Sequence, residues 1–168
     1  MNNKTLRRIT DNAIIAAVYI ALTIAFGNLS YSAIQFRIAE ILILFVYFRK
    51  DFTIGITIGC AIANIFSPLG YIDVIFGTLA TLLSCIFIII LPKIYLAIIP
   101  PLVFNAFIVG AELYFIEKLP FWMNVLYVAV GEFVVLLFGL MICLVLMKNP
   151  RFLEIIQAER PKINEAKE

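Results

Sequence analysis

Four carboxylates, Glu40, Asp73, Glu112 and Glu132, stand within or at the ends of long apolar stretches, accompanied by Arg37 and the amides Gln35, Asn64 and Asn105. An ionised side chain at the centre of a bilayer costs roughly 2.5–3.5 kcal/mol on insertion scales, so the whole set facing lipid would cost on the order of 10 kcal/mol. Such groups are tolerable where they face one another, a wet cavity or a ligand. Carboxylates only accept hydrogen bonds, so paired acids suit a ligand rich in donors or carrying positive charge. Amides both donate and accept, and aromatic faces cover a planar ring. A guanine-like heterocycle meets every condition: one carboxylate takes its ring N–H and exocyclic amine together, an amide meets its carbonyl, and an aromatic covers its face. Many vitamin-like rings pass the same test, so the chemistry selects a class of ligand rather than a compound.

Each of these residues also has a plain structural role open to it. Arg37 and Glu40 are three apart and can neutralise each other on a helix. Asp73 can cap the start of a helix, and Asn64 can cap the end of one or bond a neighbouring backbone. Glu112 and Glu132 have no cation near them in sequence, which favours a ligand-facing role for at least one of the two. Asn105 and Glu112 lie seven residues apart and so on nearly one helical face. Tyr31, Phe36, Tyr71, Tyr114, Phe121 and Trp122 suit an interfacial aromatic belt, from which one or two could stack on a flat ligand.

The elements that must position this set are membrane helices. Of 168 residues, 64% are hydrophobic and 14% charged, against roughly 45–50% and about 25% in soluble domains. That much apolar surface needs lipid to cover it. The expected fold is an all-α integral membrane six-helix bundle with spans at 11–27, 34–48, 52–66, 72–91, 94–116 and 121–147. A segment 1–10 precedes the 11–147 transmembrane domain and a tail 148–168 follows it. The second and third spans are short for a bilayer. The breaks carry Gly27-Asn28, Arg49-Lys50-Asp51, Ser67-Pro68-Leu69-Gly70, Pro92-Lys93 and Lys118-Leu119-Pro120. No small-residue cleavage site closes the first apolar run, so it reads as a retained helix. The tail, with mixed charge, is expected to form a surface helix ending near Pro161 and to fray beyond it. The two halves show no convincing repeat, so an inverted-repeat transporter is not supported.

Charge sets the orientation. Of 13 basic residues, Lys4, Arg7, Arg8, Arg49, Lys50, Lys93, Lys148, Arg151, Arg160, Lys162 and Lys167 fall on one side, and only Arg37 and Lys118 on the other. The positive-inside rule makes the first side cytoplasmic, both termini included. The acids and amides of the spans then cluster in the outer half, and the inner half has nothing comparable.

Several chemistries are excluded. Histidine is absent, and Cys60, Cys85 and Cys143 stand alone in apolar runs, so zinc sites, haem ligation and Cys–His catalysis lose their residues. No metal, cofactor or nucleic-acid partner is expected. Glu112 and Glu132 have no nucleophile or metal set beside them, which argues against a membrane enzyme. No Gly-rich loop followed by Lys-Ser/Thr is present, so the chain cannot hydrolyse ATP itself and uphill transport requires an outside motor.

Small residues form two stripes. Gly55, Gly59 and Ala63 suit packing inside the bundle, whereas the run Ala13, Ala17, Ala21 and Ala25 is longer than packing in so small a bundle requires. Internal packing and docking against a membrane partner both stay open for the alanines.

The chain resembles the QueT family, the substrate-binding (S) components of energy-coupling-factor (ECF) importers for queuosine precursors. The resemblance is carried by Ile34-Gln35-Phe36-Arg37-Ile38-Ala39-Glu40, by Gly59-Cys60-Ala61-Ile62-Ala63-Asn64-Ile65-Phe66-Ser67-Pro68, and by Asp73-Val74-Ile75-Phe76-Gly77-Thr78-Leu79-Ala80-Thr81. It continues through Val109-Gly110-Ala111-Glu112-Leu113, Leu119-Pro120-Phe121-Trp122 and Gly131-Glu132. The resemblance implies six helices in the plasma membrane and a ligand site near the outer surface, covered by the first and third outer loops. Candidate substrate contacts are Gln35, Arg37, Glu40, Asn64, Asp73, Asn105, Glu112, Trp122 and Glu132. It further implies a transmembrane coupling subunit docked on Ala13, Ala17 and Ala21, and two cytoplasmic ATPase subunits. The implied cargo is a 7-deazaguanine, in its 7-cyano or 7-aminomethyl form or as queuine. An S component for another heterocycle and a stand-alone proton-coupled carrier are the alternatives.

Overall fold

The computed structural model describes residues 3–27 and 35–160. Among them the chain forms helix α1 (Asn3–Ala25), a 3-10 helix (Ile38–Tyr47), α2 (Phe52–Asn64), α3 (Tyr71–Ile90), a short 3-10 turn (Ile94–Ile98) leading into α4 (Ile99–Glu117), α5 (Phe121–Met147) and a small α6 (Pro150–Ile155), with no strand. Tyr31, the outer loop around it, and the expected frayed tail beyond Pro161 lie outside the described residues.

Four helices, Asn3–Ala25, Tyr71–Ile90, Ile94–Glu117 and Phe121–Met147, are long and apolar enough to cross a membrane, and two apolar helices are shorter. The expected helix over 34–48 is therefore corrected: Gln35–Arg37 is non-helical and only Ile38–Tyr47 is wound, as a 3-10 helix. This tighter coil rises about 2.0 Å per residue and rarely exceeds a turn or so. Here tertiary burial holds it. Ala39, Leu42, Ile43, Leu44, Val46 and Tyr47 are buried in the main core with Tyr19 of α1, Ile56 of α2, Ile88 of α3 and Leu136 of α5. The opposite faces of α2 and of the long helices show Ile54, Ile75, Ile90, Phe115, Phe138 and Val145 to the outside, a surface that suits acyl chains.

The glycine stripe packs internally, as its small residues imply. A Cβ on Gly55 would come within 2.5 Å of the Asn12 carbonyl oxygen, and one on Gly59 within 3.0 Å of that of Ala16. Only glycine allows α2 to lie this close to α1. The contact uses Ile15, Ala16, Tyr19 and Thr23, the buried residues of α1. Ala13, Ala17, Ala21 and Ala25 are exposed, with Ala13 at the margin of that contact.

One end of the bundle is tied by charge, which the sequence reading did not anticipate. Arg49 is fully buried, donating to Asp11 at 2.8 Å and pairing with Asp51 at 2.8 Å, while its guanidinium lies 4.1 Å over the Phe52 ring. It also donates to the Ile156 carbonyl at 2.8 Å. The tail folds back here. Asn149 caps α6 by accepting from the Arg151 and Phe152 amides. Gln157 then turns at φ 53°, ending the tail helix well before Pro161, and the Glu159 and Arg160 amides donate to the Phe48 carbonyl. Arg160 donates to Leu91 and Ile89, Arg7 to Ile155, and Arg8 pairs with Glu159. The first and last described segments thus meet on one face.

Candidate functional site

At the other end, Gln35 and Arg37 enter the central 3-10 helix, whose first turn carries Glu40. Facing them are Asn105 and Val109 from α4 and Val128 and Glu132 from α5, which together enclose a void of about 10 Å³. Such a void, as these described residues form it, holds about one water.

The polar side chains are brought together across five elements. Tyr19 of α1, wholly buried, donates its hydroxyl to Glu40 Oε1. Asn105 Nδ2 donates to Glu132 Oε1. Arg37 lies within electrostatic reach of Tyr19, Glu40 and Asp73, and its charge also acts on Glu112 and Glu132. One buried guanidinium thus stands within electrostatic reach of four carboxylates and offsets part of their charge.

Two glycines create the room. A Cβ on Gly77 would meet Asn64 Nδ2 at 2.6 Å and Arg37 Nη1 at 3.7 Å. A Cβ on Gly131, beside Glu132, would fall 2.3 Å from the Gln35 carbonyl oxygen. The Gln35–Arg37 segment therefore presses directly on the backbone of α5.

Asn64 and Asp73 form a second layer behind Arg37. Asn64 Nδ2 donates to the Asp73 carbonyl at 2.9 Å, and Ser67 donates its hydroxyl to the Asp73 carboxylate. Asn64 thus bonds a neighbouring backbone. Asp73 is not the cap of its helix, because Gly70 occupies that position with φ 58°, a conformation that favours glycine.

Glu112 is 2% exposed, yet neither of its carboxylate oxygens accepts a hydrogen bond from a described residue. Asn124 Nδ2, also buried, is likewise without an acceptor among the described residues. Buried polar atoms are nearly always bonded, so each such exception asks for an explanation. Trp122 is not among the described residues that line the void. It is 73% exposed in the first turn of α5, edge-on to Phe121 at 5.0 Å, as a belt residue would be. Tyr71, Tyr114 and Phe115 are exposed as well.

Tyr19, Ser67 and Asn124 were not anticipated from sequence. Tyr19 looks like any aromatic in an apolar span, and only its contact 21 residues away reveals its role. Two glycines adjoining polar residues, Gly131 before Glu132 and Gly77 on the Asp73 helix, were the available signal.

Apolar helices of spanning length around a buried charged cluster define a multi-pass membrane protein of the transporter kind. The family described as QueT transporter matches residues 9–148, and the chain belongs to that family. It is 33% identical over 143 residues to the queuosine precursor transporter QueT of Lactococcus lactis subsp. cremoris (strain MG1363), covering 76% of this chain and 84% of that protein. No solved structure matches it.

Proposed function

We propose that the chain is the S component of an ECF-type importer, capturing a queuosine precursor from outside the cell and passing it inward with the help of a separate ATPase module. The observation that carries this reading is Glu112, a buried carboxylate whose two oxygens accept from no described residue, within electrostatic reach of Arg37 and Asp73. A 7-deazaguanine supplies the missing donors through its ring N–H and exocyclic amine, and an aminomethyl group adds a cation for a second carboxylate. The L. lactis relative's name points to the same class of cargo.

In this reading the residues divide the work. Glu112 and Glu132 accept from the heterocycle, Asn105 and Gln35 meet its carbonyl, and Arg37 offsets part of the carboxylates' charge, with Asn64 and Asp73 behind it. Because the enclosed void has room for about one water, entry of a ring requires the Gln35–Arg37 segment to lift from Gly131. The six-helix arrangement with cytoplasmic termini is supported by the meeting of the two described ends among the basic residues. Ala13, Ala17 and Ala21, all exposed, offer the docking face for the coupling subunit.

Equilibrium binding of 7-aminomethyl-7-deazaguanine to the purified chain tests the site. Glu112→Gln and Glu132→Gln should each weaken binding by roughly tenfold or more, as expected when a charged hydrogen bond of about 1.5–3 kcal/mol is lost. Unchanged affinity in both would remove the assignment. The four neighbouring carboxylates also suit a proton relay in a stand-alone carrier. Uptake by the chain alone in vesicles, driven by a pH gradient, would favour that second reading.

A further inference from the structure

We propose that the charged end of the bundle holds one anionic phospholipid, its phosphate between Lys4 and Arg8 and an acyl chain in the furrow between α1 and α2. Two hollows meet there. One, of about 440 Å³, is lined by Lys4, Thr5, Arg8 and Gln157. The other, of about 520 Å³, is a furrow whose walls include Ile9, Ala13 and Ala16 of α1 and Ile54, Gly55 and Ile58 of α2. Thr5 and Arg8 line both, so the polar hollow opens directly into the apolar one.

The furrow exists because Ala13, Ala16 and Gly55 leave its floor almost without side chains. Ile9, Ile54 and Ile58, each about half exposed or more, form its rims. From Arg8 to Ala16 the helix rises about 12 Å, most of the roughly 15 Å of hydrocarbon in one leaflet. A free phosphate would use only the upper hollow, whereas a phospholipid fills both.

The charges select the headgroup. Lys4 and Arg8 offer ammonium and guanidinium donors, and Thr5 and Gln157 add neutral ones. Asp51, which lines the furrow, is already engaged by Arg49 and by Asn12. Glu159 pairs with Arg8 at 3.4 Å, but the Arg8 side chain is 51% exposed and its fork can serve two acceptors. A zwitterionic headgroup would bring a cation to a site that already has two.

The test uses the full chain in detergent, titrated with phosphatidylglycerol or phosphatidylcholine and examined by native mass spectrometry, with glycerol 3-phosphate as the chain-free competitor. One phosphatidylglycerol per chain should be retained in preference to phosphatidylcholine and resist glycerol 3-phosphate. Lys4→Gln and Arg8→Gln should each weaken retention about fivefold. Ala13→Phe, which fills the furrow, should do the same without changing the melting temperature in phosphatidylcholine. Equal retention of the two lipids, unchanged retention in the Lys4→Gln/Arg8→Gln double variant, or displacement by glycerol 3-phosphate would each overturn the proposal. So would an Ala13→Phe variant that loses a co-expressed coupling subunit while keeping its phosphatidylglycerol, since a protein partner would then own the furrow.

Discussion

Tyr19 and Glu40 join the two sides of this molecule: a phenol fully buried on α1 donates to a carboxylate on the central 3-10 helix. The same helix α1 exposes Ala17 and Ala21 on its other face. Movement of α1 is therefore felt at Glu40 through one hydrogen bond. Tyr19→Phe keeps the ring but removes the donor, leaving a buried carboxylate oxygen unmatched, at a cost of about 1–3 kcal/mol. Thermal unfolding in detergent should show the loss, and Tyr19→Leu, which also removes a fully buried ring, should lose more.

Gly131 should not tolerate a side chain. Alanine would place a Cβ 2.3 Å from the Gln35 carbonyl oxygen, so the Gln35–Arg37 segment must move away. We expect Gly131→Ala to keep the helical circular dichroism of the wild type while weakening deazaguanine binding by at least tenfold. A variant that binds normally would show that this segment does not shape the site.

At the opposite end, Arg49→Ala leaves Asp11 and Asp51 without their cation and frees the tail carbonyl at Ile156. Removing one member of a buried ion pair costs about 3–5 kcal/mol. The variant should melt well below the wild type, and Arg49→Lys should recover only part of the loss, because an ammonium cannot reproduce the guanidinium fork.

The outward alanines are tested through a partner. Ala17→Leu and Ala21→Leu add bulk to an exposed face, so the isolated chain should fold and bind ligand as before. Co-purification with a co-expressed coupling subunit should fall sharply. Retained co-purification in both variants would leave that face to lipid.

Much of this fold was legible because length and apolarity are enough to mark a spanning helix. The expected spans at 72–91, 94–116 and 121–147 differ from the observed helices by only a residue or so at most ends. The central 3-10 helix was not legible, since Ile38–Tyr47 has the composition of any buried helix and its winding depends on the surrounding core. The expected site residues Arg37, Glu40, Asn105 and Glu132 do converge, because uncompensated charge in an apolar chain has few places to go. In sequence Arg49 marks only a break between spans, beside Lys50 and Asp51 on the basic side. Its burial depends on Asp11 and on a tail more than a hundred residues later, neither of which local sequence reveals.

The two short helices have a shared length despite different residue counts. Ten residues of 3-10 helix at about 2.0 Å and 13 of α2 at 1.5 Å both extend roughly 20 Å. Hydrocarbon is about 30 Å thick, so each of these helices by itself falls some 10 Å short of a full crossing. Arg37, Glu40 and Asn64 sit where those short cylinders stop. Charge is thus met where the scaffold runs out of helix, short of the span that the longer helices cover.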